Sequence, residues 1–364
     1  MWLEPVYVLG ALLLVVNLAA AYTHMSRRHT RAKGEMDALG SYQLVEPLGK
    51  GGMGEVWLAR HRLLDRSAAI KLVRPEALDD RVTAAILARF EREAQATAAL
   101  SSPHTIRLFD FGRSNDGDFY YVMELLQGRD LESLVREFGP LPAGRAMHFV
   151  RQVCRSLAEA HAAGFVHRDV KPANIYACRM GLEYDFAKVL DFGLVTLEQR
   201  SPAVTLTAEH RTIGTPAYMA PEMILGAGDA DRRVDVYALG CVAYFLLTGQ
   251  RVFEAETPMK TLIQHVEGQP IAPSRRSEQP ISADVDELVL ACLQKDPDQR
   301  PQDADTLLRM ATACGTGDAW GQDEARRWWE SHLPQFTTPA PRPMPRSAAL
   351  AAASLSRSLG HAVS

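Results

Sequence analysis

The pattern of apolar residues changes character near Gly128, and this change limits the fold more than any other feature of the sequence. From Tyr42 to that point, short strand-like runs alternate with turns, and one alanine-rich stretch, 84–100, has helical spacing. Five runs are predicted as strands: 42–49, 54–61, 66–73, 105–112 and 119–126. Beyond Gly128 five segments have helical spacing: 143–164, 233–248, 257–267, 283–294 and 303–312. A small sheet domain followed by a helical one predicts the α+β class with two lobes.

Composition excludes several classes of protein. The 364 residues are 47% hydrophobic and 23% charged, which is enough to fill a substantial core. The net charge is −4 and no long run of Lys or Arg appears, so we expect no nucleic-acid partner. The five cysteines lie far apart without a CxxC pair, which argues against a disulfide framework or a zinc site and suits a reducing compartment.

The first residues form a segment unlike the rest. No residue from 5 to 22 is charged, and as a helix these 18 residues would rise about 27 Å, close to the hydrocarbon thickness of a bilayer. Before this run, Glu4 is the only charged residue. Four basic residues follow it: Arg27, Arg28, Arg31 and Lys33.

Three interpretations of this segment compete: a buried core helix, a cleaved signal peptide and a membrane anchor. A core helix that is apolar on every face is not expected at the extreme terminus of a chain. A signal peptide carries its positive charges before the apolar run, whereas here they follow it, although AAAY resembles a cleavage site. We therefore predict a single-pass anchor in the inner or plasma membrane over residues 1–23 and a juxtamembrane linker over 24–41. The positive-inside rule then predicts that the rest of the chain is cytoplasmic.

The C-terminal part divides in two. The stretch 318–335 is predicted to form a helix, and its three tryptophans favour packing against the preceding domain over ligand binding. We assign it to a helical extension over residues 313–337. From 338 to 364 the chain is rich in Pro, Ala and Ser, a composition that forms cores poorly, so this tail is predicted to be disordered.

The stretch FVHRDVKPAN, residues 165–174, concentrates charged and polar side chains in one loop. Its proline rules out the interior of an ordinary amphipathic helix. One interpretation is a solvated surface loop, and the other is a chemical site that the rest of the sequence must support. The side chains concerned are His167, Arg168, Asp169, Lys171 and Asn174.

Three glycines, Gly49, Gly51 and Gly54, form a GxGxxG pattern between the first two strand runs. Glycine lets a loop lie against phosphates without a Cβ clash and leaves backbone N–H groups free to donate. A dinucleotide-binding turn has the same spacing but leads into a helix, whereas the EVWLARH that follows here has the pattern of a strand. A hairpin over phosphates therefore fits the flanking sequence better.

Further polar residues stand at the ends of apolar runs. Lys71 ends the run AAI, and if it lies on the inner face of a sheet it needs an anionic partner, for which Glu93 is preferred and Glu91 is possible by count. An ordinary strand-edge lysine is the alternative. Asp191 follows the apolar run VL and, with Asn174, offers hard oxygen ligands for Mg²⁺. Each of these elements is ambiguous when taken alone.

The order of the elements along the chain is more specific than any one of them. The glycine loop, the strand lysine, the helix glutamate, HRDVKPAN, DFG and GTPAYMAPE (214–222) resemble the signature set of protein kinases, in chain order. DVYALGC (235–241) and KDPDQRP (295–301) are similar to later kinase segments. Over about residues 42–312 the chain resembles a serine/threonine protein kinase of the membrane-anchored bacterial Hanks type.

This resemblance implies the bilobal protein-kinase fold, with a small β-rich N-lobe, a larger helical C-lobe and a hinge near 124–128. It implies ATP and Mg²⁺ (or Mn²⁺) as cofactors and proteins with Ser or Thr residues as substrates. Asp169 would orient the substrate hydroxyl and accept its proton, and Lys171 would neutralise the transferring phosphoryl group. Asn174 and Asp191 would bind the metal.

Other residues would contact the nucleotide. Lys71 would hold the α- and β-phosphates and pair with Glu93. Met123 would occupy the gate of the back pocket, while Glu124 and Leu126 would present hinge backbone groups to adenine. The positions that the resemblance assigns to nucleotide binding are Gly49, Lys50, Gly51, Gly52, Met53, Gly54, Val56, Ala69, Lys71, Met123, Glu124 and Leu126.

Specificity and regulation also follow from the resemblance. Lys171, together with Thr215 in GTPAY, is typical of Ser/Thr specificity, and Thr215 would take part in substrate docking. We predict that phosphorylation of Thr205, Thr207 or both orders their loop by docking on Arg168. Autophosphorylation in trans would involve dimerisation.

Some features depart from the family pattern, and two other functions compete. The strand reads AAIK rather than VAIK, Tyr237 stands where many kinases have Trp, and the connection between Asn174 and Asp191 is long. A nucleotide-binding pseudokinase scaffold would usually lack at least one of the four residues Lys71, Asp169, Asn174 and Asp191, all of which are present. A small-molecule kinase of the same fold would be expected to lack the GTPAYMAPE segment.

Overall fold

The computed structural model describes residues 38–51, 54–73, 94–95, 97–114, 118–192, 216–226, 231–316 and 320–337. The chain divides into two compact units. The first comprises the chain up to Arg74 together with Gly112–Tyr120, and the second comprises Pro75–Phe111 and the chain from Tyr121 onwards.

The first unit is built on antiparallel strands. β1 (Ala38–Leu39), β2 (Tyr42–Gly51), β3 (Gly54–His61) and β4 (Ser67–Val73) pair with one another in chain order. The sheet begins at Ala38, inside the segment predicted as a juxtamembrane linker, because Ala38 pairs with Gln43 and Leu39 with Tyr42. Two breaks in register between β2 and β3, of the kind that a β-bulge produces, locally bend a strand and increase its twist.

Two further strands, β5 (Leu108–Arg113) and β6 (Phe119–Glu124), complete a six-stranded sheet with the order β1-β2-β3-β4-β6-β5. The five predicted strands are confirmed, with shifted ends. β5 begins three residues later than predicted; Thr105 instead forms an isolated parallel bridge with Val189.

The second unit is mostly helical. Its three-stranded antiparallel sheet consists of β7 (Gly128–Asp130), β8 (Ile175–Met180) and β9 (Glu183–Val189). The described helices are α1 (Leu131–Phe138), α2 (Ala143–Ala162), α3 (Pro221–Leu225), α4 (Arg233–Thr248), α5 (Pro258–Glu267), α6 (Ala283–Cys292), α7 (Ala304–Ala313) and α8 (Gln322–His332). Short 3₁₀ turns span Pro172–Asn174, Pro216–Tyr218, Pro273–Arg275, Pro297–Gln299 and Pro334–Phe336.

The helices predicted from spacing after Gly128 are all present, with ends that differ by at most two residues. The helix predicted within 318–335 is present as α8. Of the helix predicted at 84–100, the structure describes only 94–95 and 97–99, which are helical.

Helix α4 forms the centre of the second unit's core. Every residue of α4 except Arg233 is buried, and a helix that is apolar on nearly all sides belongs inside a domain. The helix ends at Gly249, whose φ of 69° lies in the left-handed region that favours glycine. Asp235 is the charged exception on the buried part of the helix, and its contacts lead to the candidate site.

Among the described residues, no helix combines the length and the apolar composition that a membrane span requires. Residues 5–22, over which the anchor is predicted, lie outside the described part of the chain.

Candidate active site

The loop between α2 and β8 brings two of the predicted catalytic residues, Asp169 and Lys171, together with the predicted metal ligand Asn174. Nζ of Lys171 donates to both carboxylate oxygens of Asp169, at 3.0 and 2.7 Å. Nδ2 of Asn174 donates to Oδ2 of Asp169 and to its backbone oxygen, each at 2.9 Å. The carboxylate of Asp169 is thus held in one orientation, which a group that accepts a proton in a reaction needs, and it lies beside the ammonium group of Lys171.

The buried carboxylate of Asp235 fixes this loop to the core. Its Oδ2 accepts from the backbone N–H of His167 at 2.8 Å, and its Oδ1 accepts from the backbone N–H of Arg168 at 2.7 Å. Nε2 of His161 donates to Oδ2 at 2.9 Å. The backbone of Arg168 has a φ of 64°, which is unfavourable for a side chain other than glycine and persists only where the surroundings enforce it. Asp235 supplies that constraint from α4.

The two predicted metal ligands, Asn174 and Asp191, are joined through one residue. The backbone N–H of Leu190 donates to the carbonyl of Asn174 at 2.8 Å, which places the chain entering Asp191 beside the start of β8. Nε2 of His167 donates to the carbonyl of Leu190 at 2.9 Å, and its ring lies 4.6 Å from that of Phe192. Leu190 thus joins the chain before Asp191 to two residues of the 165–174 loop, Asn174 through its N–H and His167 through its carbonyl.

Tyr121 contacts the candidate metal ligand directly. Its hydroxyl donates to Oδ1 of Asp191 at 2.6 Å, and its ring is buried. Burial, together with the neighbouring carboxylate, raises the pKa of the Tyr121 phenol well above its usual range, so the phenol stays protonated and can donate. Tyr121 is not among the residues predicted from the sequence. The available signal was a tyrosine two positions before Met123, on the same face of an apolar strand.

The hinge residue Glu124 is held by its side chain. Its carboxylate accepts from the backbone N–H of Arg107 at 2.9 Å and lies 2.6 Å from Nζ of Lys188, in a largely buried ion pair. The backbone N–H of Glu124 donates to the carbonyl of Arg107 at 3.0 Å. The backbone group that Glu124 can offer to a ligand is therefore its carbonyl. Met123 is half-buried beside it, and Leu126 follows two residues later.

In the first unit, the glycine loop is a hairpin, as predicted. Gly51 pairs with Gly54 and Gly49 with Val56 across β2 and β3. Gly54 has a φ of 137°, which favours glycine, and a Cβ added at Gly49 would meet no atom within 4 Å. The chain continues from the loop into a strand, which excludes the dinucleotide-binding turn.

Lys50, Lys71 and Ala69 lie on the same sheet. Lys50 pairs with Glu55, with 3.2 Å between Nζ and Oε1. Lys71 stands opposite Val56 in the pairing of β3 with β4, and Ala69, two residues earlier on the same face of β4, is buried. Lys71 is half-buried, and its strand β4 lies between β3 and β6 in the sheet.

The following six predicted site residues lie outside the described part of the chain, so the predictions made for them stay predictions: Gly52, Met53, Glu93, Thr205, Thr207 and Thr215. Glu91, the other candidate partner of Lys71, also lies outside it.

A buried ion pair joins the segments GTPAYMAPE and KDPDQRP. Nη1 and Nη2 of Arg300 donate to the two carboxylate oxygens of Glu222 at 2.7 and 2.9 Å, and the Arg300 side chain is fully buried. The guanidinium also lies over the ring of Tyr237, 4.8 Å from its centroid. Tyr237 is fully buried, and its Oη lies 2.8 Å from Nδ1 of His265.

Comparison with known proteins identifies the family to which this sequence and architecture belong. Residues 42–311 match the protein kinase domain family. The serine/threonine-protein kinase pkn3 of Myxococcus xanthus is 38% identical over 268 residues, which cover 73% of this chain and 48% of that protein. The serine/threonine-protein kinase PknB of Mycobacterium leprae is 41% identical over 266 residues, which cover 72% and 41%. The chain thus matches less than half of the length of these relatives.

Solved structures show the same fold. A double mutant of the Mycobacterium tuberculosis PknI kinase domain superposes with a TM-score of 0.56 and 26% identity, covering 76% of this chain and 98% of that one. Residues 1–466 of Rad53 in complex with AMP-PNP superpose with a TM-score of 0.61 and 26% identity, covering 74% and 64%.

Proposed function

This chain belongs to the protein kinase family, and we propose that it is a serine/threonine kinase that transfers the γ-phosphate of ATP to hydroxyls of protein substrates. One observation carries the proposal. The Asp169 carboxylate accepts hydrogen bonds from both Lys171 and Asn174, on a loop that the buried Asp235 holds in place.

In the proposed reaction, the substrate hydroxyl donates to the carboxylate of Asp169. The hydroxyl oxygen forms a bond to the γ-phosphorus while the bond from that phosphorus to the β–γ bridging oxygen breaks, and Asp169 receives the proton. Lys171 lies beside the acceptor, where its ammonium group neutralises charge on the group in transfer. The protein contributes orientation and electrostatic stabilisation, which phosphoryl transfer requires more than covalent chemistry.

The residues proposed for the metal fit Mg²⁺ or Mn²⁺. Asn174 uses its NH₂ group on Asp169, so the oxygen of its amide is the atom left for a cation. Asp191 contributes a carboxylate, and Leu190 ties the two residues together through its backbone. These are hard oxygen ligands, which Mg²⁺ prefers. When bound, the metal would neutralise charge on the β- and γ-phosphates.

The nucleotide contacts and the regulatory sites are part of the same proposal. The backbone N–H groups of the glycine hairpin would bind phosphates, with Lys71 on the α- and β-phosphates. Thr215 would take part in substrate docking. Two copies of the chain would phosphorylate each other at Thr205, Thr207 or both, and the phosphate would then dock on Arg168. The proximity of Arg168 to Asp169 in the chain supports this assignment.

Membrane attachment is a separate proposal. The uncharged run 5–22 and the basic residues after it support a single-pass anchor with the kinase domain in the cytoplasm. The full chain should then sediment with membranes and resist extraction by carbonate, whereas a chain that starts at Met36 should be soluble. Extraction of the full chain by carbonate would contradict the anchor.

The kinase proposal is tested by incubating the full chain with ATP, Mg²⁺ and a generic protein substrate, followed by mass spectrometry of phosphosites. Phosphoserine and phosphothreonine are expected, and the Asp169→Asn variant is the matched control. Nucleotide binding without any phosphate transfer would favour the pseudokinase scaffold instead.

A further inference from the structure

The C-terminal extension packs on the second unit although it lies beyond the family's domain, which ends at residue 311. Here "the extension" means residues 320–337, which include α8. Trp329 on α8 is fully buried, and Trp320 and Trp328 are packed against the same core. The predicted packing of the three tryptophans is therefore confirmed, and their contacts concentrate on one buried acid.

That acid is Asp185 on β9, whose side chain has no exposed surface. Arg145 on α2 donates to it twice, from Nε to Oδ2 at 2.9 Å and from Nη2 to Oδ1 at 2.8 Å. Two indole N–H groups complete the set, from Trp320 to Oδ2 at 2.8 Å and from Trp329 to Oδ1 at 2.7 Å. A buried charge is tolerated only when it is paired and hydrogen-bonded, and half of the hydrogen bonds here come from the extension.

The extension also covers the cation of this pair. The guanidinium carbon of Arg145 lies 3.7 Å from the ring centroid of Trp328 and 4.9 Å from that of Trp320. The Arg145 side chain is almost completely buried, a position in which aromatic faces replace part of the lost solvation. The ion pair between α2 and β9 is therefore built to be completed by the extension.

The extension holds both strands of the β8–β9 hairpin. On β9, the amide of Gln322 accepts from the backbone N–H of Tyr184 at 2.8 Å and donates to the carbonyl of Tyr184 at 3.1 Å. On β8, Nη1 of Arg179 donates to the carbonyls of Phe336 and Thr337 at 3.3 and 2.6 Å. Residues at both ends of the extension, from Trp320 to Thr337, thus contact the hairpin.

This hairpin carries the two proposed metal ligands at its ends. β8 begins directly after Asn174, and β9 ends two residues before Asp191. From Asp185 the strand is held towards the site by Gln152, whose side chain donates to the carbonyl of Asp185 at 2.9 Å and accepts from the backbone N–H of Ala187 at 2.9 Å. A displacement of β9 at Asp185 would reach Asp191 through six residues of hydrogen-bonded chain.

We propose that the extension is a clamp that sets the geometry of the metal-binding residues, with Asp185 as the positioning residue through which it acts. The inference rests on the proposed roles of Asn174 and Asp191. The backbone just before Asp169 is held from α4 by Asp235, through the N–H groups of His167 and Arg168, and Lys171 donates to both carboxylate oxygens of Asp169. Loosening the clamp should therefore weaken metal binding while leaving the proton acceptor in place, and a purely structural role would not produce this separation.

The test removes the two indole donors and keeps the aromatic rings, in a Trp320→Phe, Trp329→Phe double variant of the full chain. The control is Trp328→Phe, which changes an indole on the same helix as Trp329 that makes no hydrogen bond to Asp185 among those described, and which keeps an aromatic ring to cover the Arg145 guanidinium. Binding of a fluorescent N-methylanthraniloyl-ATP is followed by anisotropy as Mg²⁺ is titrated, and amide hydrogen exchange is measured over residues 175–191.

In the double variant, the half-saturating Mg²⁺ concentration should rise by up to about tenfold, the lower end of what the loss of a direct outer-shell partner costs, because the indoles act on Asp191 only through the strand from Asp185. Exchange should quicken over 183–189, and turnover at saturating Mg²⁺ should stay within about twofold. The control should resemble the wild type. If the double variant does not fold, Trp320→Phe alone, which alters a less buried ring, should give a smaller shift in the same direction.

Two results would overturn the clamp: faster exchange with an unchanged Mg²⁺ dependence, which would leave the extension a stabilising element only, or no change in either measurement. Failure of the metal assignment itself looks different, because the wild type would then bind the nucleotide with no dependence on Mg²⁺. That result would overturn both the assignment and the clamp.

Discussion

The hydroxyl of Tyr121 donates a 2.6 Å hydrogen bond to Oδ1 of Asp191, and the tyrosine is buried behind it. Asp191 is also the residue whose backbone takes a φ of 55°, in the left-handed region that is unfavourable for an aspartate. The phenol therefore orients a carboxylate that the backbone presents at some conformational cost. A metal ligand held in this way is preorganised, which reduces the ordering that binding requires.

Replacing Tyr121 by Phe should lower kinase activity about tenfold at limiting Mg²⁺, because a hydrogen bond to a charged group is lost and the ring is kept. The matched control is Tyr120→Phe, a change of the neighbouring tyrosine on the opposite face of β6. Initial rates are measured as Mg²⁺ is varied. Equal rates for the two variants across the titration would show that Tyr121 only fills space.

Asp169→Asn should reduce phosphoryl transfer by about 10²–10⁴-fold, the usual contribution of a positioned proton acceptor. The fold should persist, because an asparagine can still accept from Lys171. Lys71→Met should also abolish most transfer through its effect on the phosphates. Circular dichroism and thermal unfolding serve as folding controls. Activity of Asp169→Asn within tenfold of the wild type would mean that another group accepts the proton.

Replacing Thr205 and Thr207 together by Ala should lower activity markedly and leave ATP binding nearly unchanged. Phosphate on either residue would add nearly two negative charges that can form charge-assisted hydrogen bonds with Arg168. Intact-mass analysis should find phosphate on the wild type and none on the Asp169→Asn protein. A fully active double variant, in a protein that carries no phosphate on this loop, would contradict the mechanism.

Asp235→Asn should destabilise the second unit by about 3 kcal/mol, within the range for breaking a buried charged network. The carboxylate accepts from two backbone N–H groups and from His161, and an asparagine must direct its NH₂ at one of these donors. Urea denaturation measures the loss. The exposed Asp284 on α6 offers a matched Asp→Asn control with an expected change within about 0.5 kcal/mol. Similar losses for both variants would refute the role given to Asp235.

The grouping of the proposed reactive residues could be predicted from the sequence, because Asp169, Lys171 and Asn174 lie within one short loop, and their proposed roles come from the resemblance to kinases. Their framework does not. Asp185 looks like a surface residue in EYDFAKV, and only the fold brings Arg145 and two distant tryptophans to it. Tyr121 was hidden in the same way, since an apolar strand gives no indication of which polar group a hydroxyl will reach. Local patterns predict elements and motifs, whereas contacts over long separations decide which buried polar groups are satisfied.

The stability of the second unit should fall with acid in a window set by His104. This side chain is buried, and its Nδ1 donates to the carbonyl of Ala187 at 3.1 Å while its ring stacks on Phe186. Burial, partly offset by the hydrogen bond, lowers the pKa of His104 to about 4, with Arg155 and Lys188 contributing in the same direction as burial. The unfolded chain binds this proton at about pH 6.5. Between pH 6.5 and 4 the unfolded state therefore holds more protons, and stability decreases as the pH falls.

We expect this residue to account for about 1–2 kcal/mol of the decrease in unfolding free energy between pH 7.5 and 5. His104→Asn is the informative variant, because its Nδ2 can still donate to the Ala187 carbonyl while the side chain no longer titrates. Urea denaturation of both proteins at several pH values gives two curves whose difference isolates His104 from the other titrating groups, among them His265, whose pKa is also lowered to about 4 by burial. The difference between the curves should be constant above pH 7 and should shift in favour of the variant as the pH falls to 5. Curves that stay parallel over the whole range would mean that His104 becomes protonated in the folded protein as readily as in the unfolded chain.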